Sequence, residues 1–412
     1  MRTVGLACMA MLVACGGGGA HSGDDVTGDD GPPADAHPDD GPGAIGEWTD
    51  EPGACPAGYT RADITTVAQL HDDARGDGDI ADCYFLHNGT YTETGSSPDF
   101  YATRGGTAGH PVVFVGESRD GVIIKGRISL DASATNITLE NMTVDLTGYV
   151  KSGTFNEIDV FPDNTTLRRM TITGDCMTGF TGGAVEVDGA KHVLIEDNII
   201  EKFGHCNSDG RLDHGVYLGS GEDITIRNNV IRGNSSRGIQ LNTEQGHYGT
   251  LTTILIERNR IYDNGHRDYE DGLVLNGQDT GNITGFTMRR NLIYSNYFSG
   301  IRFTGDVITG VLVELNTFVE NEGGSSLDNR SEVNLDEGQP VGTFKKNIFV
   351  TSHQLLNECD GPLTLDDNVV MGTAAGACVT NTMAVAPGFT DAANGDFHTS
   401  NAAVAAYGAY AQ

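Results

Sequence analysis

Residues 193–200 read VLIEDNII, and residues 224–231, 254–261 and 286–293 read ITIRNNVI, ILIERNRI and FTMRRNLI. The template is apolar at its third and eighth positions and mostly polar at its fourth and fifth. It extends both ways, as ITLENMTV (137–144), TTLRRMTI (165–172), VLVELNTF (311–318), GTFKKNIF (342–349) and LTLDDNVV (363–370). Its sixth position holds Met142 and Met170, then Asn198, Asn229, Asn259, Asn291, Asn316, Asn347 and Asn368. Successive copies begin 28, 28, 31, 30, 32, 25, 31 and 21 residues apart. A fixed period of this length is the signature of a stacked repeat architecture.

The period within each repeat chooses between helix and strand. Helical solenoids need long 3.6-residue patterning, whereas these copies are short, β-branched, alternating runs punctuated by Gly and Asn. A second short run accompanies most copies: residues 184–187 (AVEV), 215–218 (GVYL), 238–241 (GIQL), 272–275 (GLVL) and 300–303 (GIRF). Two or three strands per repeat give an all-β parallel solenoid of about ten coils. Alternation turns Val216, Leu218, Ile239, Leu241, Leu273, Leu275, Ile301 and Phe303 inward, stacked like on like about 4.8 Å apart. The Asn at position six is expected at a turn, itself left-handed, with its amide bonded to the coils above and below.

The 412 residues carry 57 Asp+Glu against 25 Lys+Arg, a net charge of −32. That excludes a nucleic-acid binder, which needs a basic footprint. Nucleotide and flavin sites are likewise not expected, because neither G-x-G-x-x-G after a strand nor G-x-x-x-x-G-K-[ST] occurs. The start, MRTVGLACMAMLVAC, has one cation and an apolar run too short to span a bilayer, which reads as an export signal. Residues 12–15 (LVAC) resemble a bacterial lipobox. The resemblance implies residues 1–14 as signal peptide and acylation of Cys15, with the chain held at the outer membrane or cell surface only through that lipid. Residues 15–53 read as an acidic Gly/Asp/Pro tether with ten carboxylates and, from residue 16, no Lys or Arg. The folded body is assigned to 54–412 and is expected to be monomeric. From residue 52 onward the chain still carries 47 acidic and 24 basic residues, a net −23.

Six cysteines remain beyond Cys15: Cys55, Cys83, Cys176, Cys206, Cys359 and Cys378. An even number in an exported chain, without C-x-x-C, favours disulfides over zinc. Six allow fifteen pairings; nearness along the chain favours Cys55–Cys83, Cys176–Cys206 and Cys359–Cys378.

With its repeats, an amphipathic segment TTVAQLHDDAR (65–75) suited to cap the first coil, GTAGHP (106–111) before VVFV, and the ending AVAPGFTDAANGDFH (384–398), the chain resembles the right-handed parallel β-helix of the pectin-lyase-like superfamily over about residues 60–400. The resemblance implies a ligand groove on one face, built from outward side chains of neighbouring coils, and a polysaccharide partner. Parity within the second run places Asp159, Glu186, Tyr217, Gln240, Val274 and Arg302 in one outward column, and Asp188, Asn242, Asn276 and Thr304 in the next. His214, Arg237 and Asp271 fall at the preceding corner.

β-Elimination of a uronate needs a base, a cation on the carboxylate and an acid for the leaving oxygen. His214 or Tyr217 is the candidate base or acid and Arg237 the cation. Gln240, Asn242, Asp271, Asn276 and Arg302 are candidate substrate contacts. Glu186, Asp188 and Asp213 are candidate Ca²⁺ ligands, which would let an acidic protein hold an acidic sugar; no organic cofactor is implied. The chain departs from its relatives' patterns: Asp213-His214 lacks the Pro of the epimerases' Asp-Pro-His, no paired aspartates of the pectin hydrolases appear, no Asn-Gly-Gly-x-Glu occurs, and Lys191 and Lys202 are the nearest lysines. The competing expectation is a noncatalytic rod for adhesion, glycan capture or envelope structure.

Overall fold

The computed structural model describes residues 45–92, 100–148, 153–154, 157–175, 180–205, 212–243, 249–277, 281–305, 307–336, 338–359, 361–373 and 376–412. Each coil contributes up to three strands, as in Ile239–Asn242, Leu251–Glu257 and Arg260–Tyr262. First and second strands stack in parallel into one sheet of twenty-one strands, and third strands into another of eleven. In Phe180–Glu196 and Asp213–Arg227 the first and second strands run on as one. The inward residues expected from alternation, Val216 through Phe303, are all fully buried.

The corner between second and third strands corrects one expectation. The left-handed residue is the one before the buried Asn: Asp197, Asn228, Arg258, Arg290, Leu315, Lys346 and Asp367 have φ between 53° and 57°. That residue turns the chain, and the turn aims the Asn into the interior. There the Asn259 carbonyl oxygen accepts from the Asn229 backbone N–H (2.9 Å) and amide (3.0 Å), while its own amide donates to the carbonyls of Ile226 (2.8 Å) and Glu257 (3.0 Å). The same bonds link every Asn from Asn198 to Asn368. A second ladder follows the third strands through Asn234, Asn264, Asn296 and Asn321, and ends on the buried carboxylate of Glu332.

Position four of the template forms an outward column on the second strands. Register places Glu140, Arg168, Glu196, Arg227, Glu257, Arg289, Glu314, Lys345 and Asp366 one above another, alternating in sign throughout. Opposite charges facing each other across a ladder stabilise it by about 0.2–1 kcal/mol per pair.

The helix Val67–Arg75 caps the first coil, started by a Thr66/Gln69 capping box and stopped by left-handed Gly76; Leu70 and Ala74 bury against the core. No helix among the described residues is long and apolar enough to cross a membrane. Cys55–Cys83 and Cys359–Cys378 are bonded, with Cα separations of 5.8 and 5.6 Å. The expected pair Cys176–Cys206 lies outside the described residues, as does Cys15.

The end of the segment read as tether packs on the solenoid instead. Ile45 is buried with Leu292, Phe397 and Ala409; the Gly46 N–H donates to Asn228 (2.9 Å), and Asp50 pairs with Arg119 (2.7 Å). Composition hid this contact because single partners hold the segment, and it contributes no apolar run of its own.

Candidate functional site

The first strands carry the expected wall. Register stacks Tyr101, Ser129, Asp159, Glu186, Tyr217, Gln240, Val274, Arg302 and Asn334 in one column. Beside it a chain of hydrogen bonds crosses the coils: Thr304 donates to Asn276 (2.6 Å), the Asn276 amide to Asn242 (2.9 Å), and the Asn242 amide to the Tyr217 hydroxyl (2.7 Å). Asn242, Asn276 and Thr304 therefore sit together as parity requires, whereas Asp188, expected in the same column, is shifted out of it by a register irregularity after Val187 that sets it opposite Ser220.

His214, Tyr217 and Arg237 also converge. The His214 ring stacks on Tyr217 with centroids 5.5 Å apart. Burial pushes the His214 pKa well below the usual histidine range, and the nearby Arg237 lowers it further. The imidazole is thus neutral at pH 7. The residue is 1% exposed against 8% for Tyr217, so His214 backs the tyrosine rather than meeting a ligand as the base. Arg237 donates to Gln240 (2.6 Å) and to the Tyr269 carbonyl (3.4 Å). Burial and the neighbouring Arg302 push its guanidinium down to about 10.

Asp271 is a structural anion, not an open substrate contact. It is fully buried, accepts from Arg302 Nε (2.8 Å) and from the Ser299 hydroxyl, and lies 3.9 Å from Arg237 Nε. Arg302 also donates to Asp336 (3.0 Å) and the Tyr269 carbonyl (2.8 Å). The turn at residues 265–271 thus folds over the wall: Tyr269 offers its carbonyl to both arginines, and Glu270, buried with its carboxyl pushed up by that burial, faces Arg237. Sequence reading missed Tyr269, Glu270 and Asp336, although HRDYEDG (266–272) is dense in polar groups for a turn.

The three residues chosen as Ca²⁺ ligands do not come together. Asp213 lies opposite Gly182, four residues along the strand from Glu186, which is opposite Tyr217; that spacing is roughly 13 Å. Asp213 is buried and accepts from the His205 backbone (2.8 Å) and ring (2.7 Å), and Asp188 accepts from Ser220 (2.5 Å). Among the described residues no three His, Cys, Asp or Glu gather as a metal centre.

Stacked parallel coils with two internal Asn ladders and a polar first-strand wall define a right-handed parallel β-helix protein. The chain belongs to the family described as right handed beta helix region, whose sequence model matches residues 120–387. No curated protein sequence matches it. Among solved structures it is similar to PfbA, a surface adhesin of Streptococcus pneumoniae (14% identity over 73% of this chain and 81% of that chain, TM-score 0.51). It is also similar to pectate lyase Pel9A (14%, 75% and 74%, TM-score 0.49) and to the A-module of the Azotobacter vinelandii mannuronan C-5 epimerase AlgE6 (15%, 78% and 95%, TM-score 0.48). At these identities the likeness is one of fold.

Proposed function

We propose that the protein binds an acidic polysaccharide across the first-strand wall and cleaves it by β-elimination at Tyr217. The observation that carries this reading is the meeting of Tyr217, Arg237 and Asn242 within neighbouring coils. Elimination takes the C5 proton of a uronate; the released pair forms the C4=C5 bond, the C4–O bond breaks, and the departing oxygen takes a proton. Tyr217, oriented by Asn242 and backed by neutral His214, handles the proton. Arg237, with a side chain 14% exposed, offers its charge to the uronate carboxylate. The lipobox-like residues 12–15 and the acidic segment after them support display at a cell surface.

A second reading, a noncatalytic glycan-binding rod, is favoured by Arg302. Its guanidinium is already engaged at all three nitrogens, by Asp271, Asp336 and the Tyr269 carbonyl.

The deciding experiment follows absorbance of unsaturated uronate on pectate, alginate and glycosaminoglycans, with and without Ca²⁺. A signal lost in Tyr217→Phe and Arg237→Ala, with folding intact, supports elimination. A silent panel with glycan binding retained on an array replaces it with the binding rod.

A further inference from the structure

Away from the wall, a cleft of about 390 Å³ opens at the corner after the third strands. Its lining includes three successive left-handed corner residues, Asp263, Ser295 and Glu320, with φ of 54°, 54° and 49°. The third-strand register Arg260–Leu292–Thr317 stacks them in that order. Asp263 and Glu320 thus stand two coils, or roughly 10 Å, apart with a serine between. The Glu320 carboxylate is steadied by the Ser352 hydroxyl (2.6 Å) and backbone (3.2 Å).

Tyr297 supplies the side wall. A Cβ on Gly324 would fall 2.3 Å from the tyrosine ring, so only glycine lets that ring lie against the turn. His266 and the backbone of Gly323 complete the rim.

We propose that this cleft is a binding site for a neutral saccharide, separate from the first-strand wall. An aromatic ring beside hydrogen-bond acceptors suits a sugar, whose C–H face packs on the ring while its hydroxyls donate to carboxylates. Two carboxylates, with no Lys or Arg among the described lining residues, repel an acidic sugar and favour an uncharged one. The wall offers Arg237 and the cleft offers Asp263 and Glu320, so the two sites select different sugar chemistry. They share one turn. Residues 265 and 266 border the cleft, and the His266 N–H donates to the carboxylate of Glu270 (2.5 Å), which faces Arg237 at the wall.

The test is isothermal titration of the full chain with neutral hexasaccharides of glucan, mannan, xylan and galactan, in parallel with pectate and alginate hexasaccharides. At least one neutral probe should bind; Tyr297→Ala should weaken it about tenfold or more, while Tyr297→Phe, which keeps the ring, should stay within about threefold. Asp263→Asn, at an exposed corner where Asn tolerates the left-handed backbone, should weaken the same probe with an unchanged melting temperature. This second variant decides the matter should Tyr297→Ala misfold. The proposal is overturned if no neutral probe binds, if binding survives both Tyr297→Ala and Asp263→Asn, or if it is lost in Tyr217→Phe instead, which would place the sugar at the wall.

Discussion

Two outward columns run the length of the solenoid, one on the second strands and one on the first, and they obey different rules. The second-strand column alternates in sign from Glu140 to Asp366 over nine coils. The first-strand column has no period, and it sets Asp159 directly against Glu186. Like charges at that spacing are unfavourable, and Arg127 compensates Asp159 from the side (2.9 Å). Stacking by itself selects alternation, as the second strands demonstrate. The irregular column therefore answers to something other than coil-to-coil pairing, which is the physical ground for proposing a ligand there.

The largest expected effect tests the regular interior. Asn259→Ala leaves the buried Asn229 backbone N–H and the Ile226 carbonyl without their Asn259 partner, while the Asn229 amide keeps its bonds to the carbonyls of Ile195 and Arg227. At about 1–3 kcal/mol for each unsatisfied group, the loss should be about 2 kcal/mol or more in guanidinium unfolding. Tyr217→Phe removes the hydrogen bond from the Asn242 amide and should cost about 1 kcal/mol. Equal losses from the two variants would break the distinction between ladder and wall.

Next comes the point where the second ladder stops. Glu332 takes the place of an Asn, accepting from the Asn321 backbone (3.1 Å) and amide (2.7 Å) in full burial. Burial and the adjacent Glu322 hold its carboxyl well above the ordinary value of 4.5. A raised folded value means that its contribution is complete below pH 4.5 and is lost as pH rises through the folded value. Glu332→Gln has no such proton to lose, so its stability relative to the parent should climb as pH rises above 4.5, whatever its absolute level. Parallel pH curves for parent and variant would remove the buried carboxylate as the source.

What was legible in the sequence divides along the same line. The coil, its inward residues and the Asn ladder were readable because each recurs, so repeated copies average out local noise; the capping helix, which occurs once, was readable from its amphipathic pattern. The alternating charges were equally present at position four and went unremarked, since only comparing successive copies exposes them. The outward parity of Tyr217, Gln240 and Arg302 was readable too, because a period of two fixes faces. The neutralisation of Arg302 was not. It depends on Asp271, Asp336 and the Tyr269 carbonyl, brought together by a turn that has no repeat to reveal its path. The Ca²⁺ set failed for a related reason: Asp213 and Glu186 are near in composition and in coil, but a solenoid separates residues along a strand as strictly as it unites them across coils.

A smaller effect than that of the ladder is expected from the charge column itself. Arg227 donates to Glu196 (2.7 Å) and faces Glu257 in the next coil, so Arg227→Glu would set three carboxylates in succession. Two favourable neighbours become two unfavourable ones, a cost of about 1–2 kcal/mol at low salt, while Arg227→Met should lose roughly half as much by merely removing the attraction. The side chain is 27% exposed, so screening reaches it, and 1 M NaCl should bring the Glu and Met variants together. A penalty indifferent to salt would mean that the arginine stem packs against the wall and that its sign is incidental. In that case the alternation would be a by-product of side-chain shape, and the first-strand column could no longer be singled out by its lack of it.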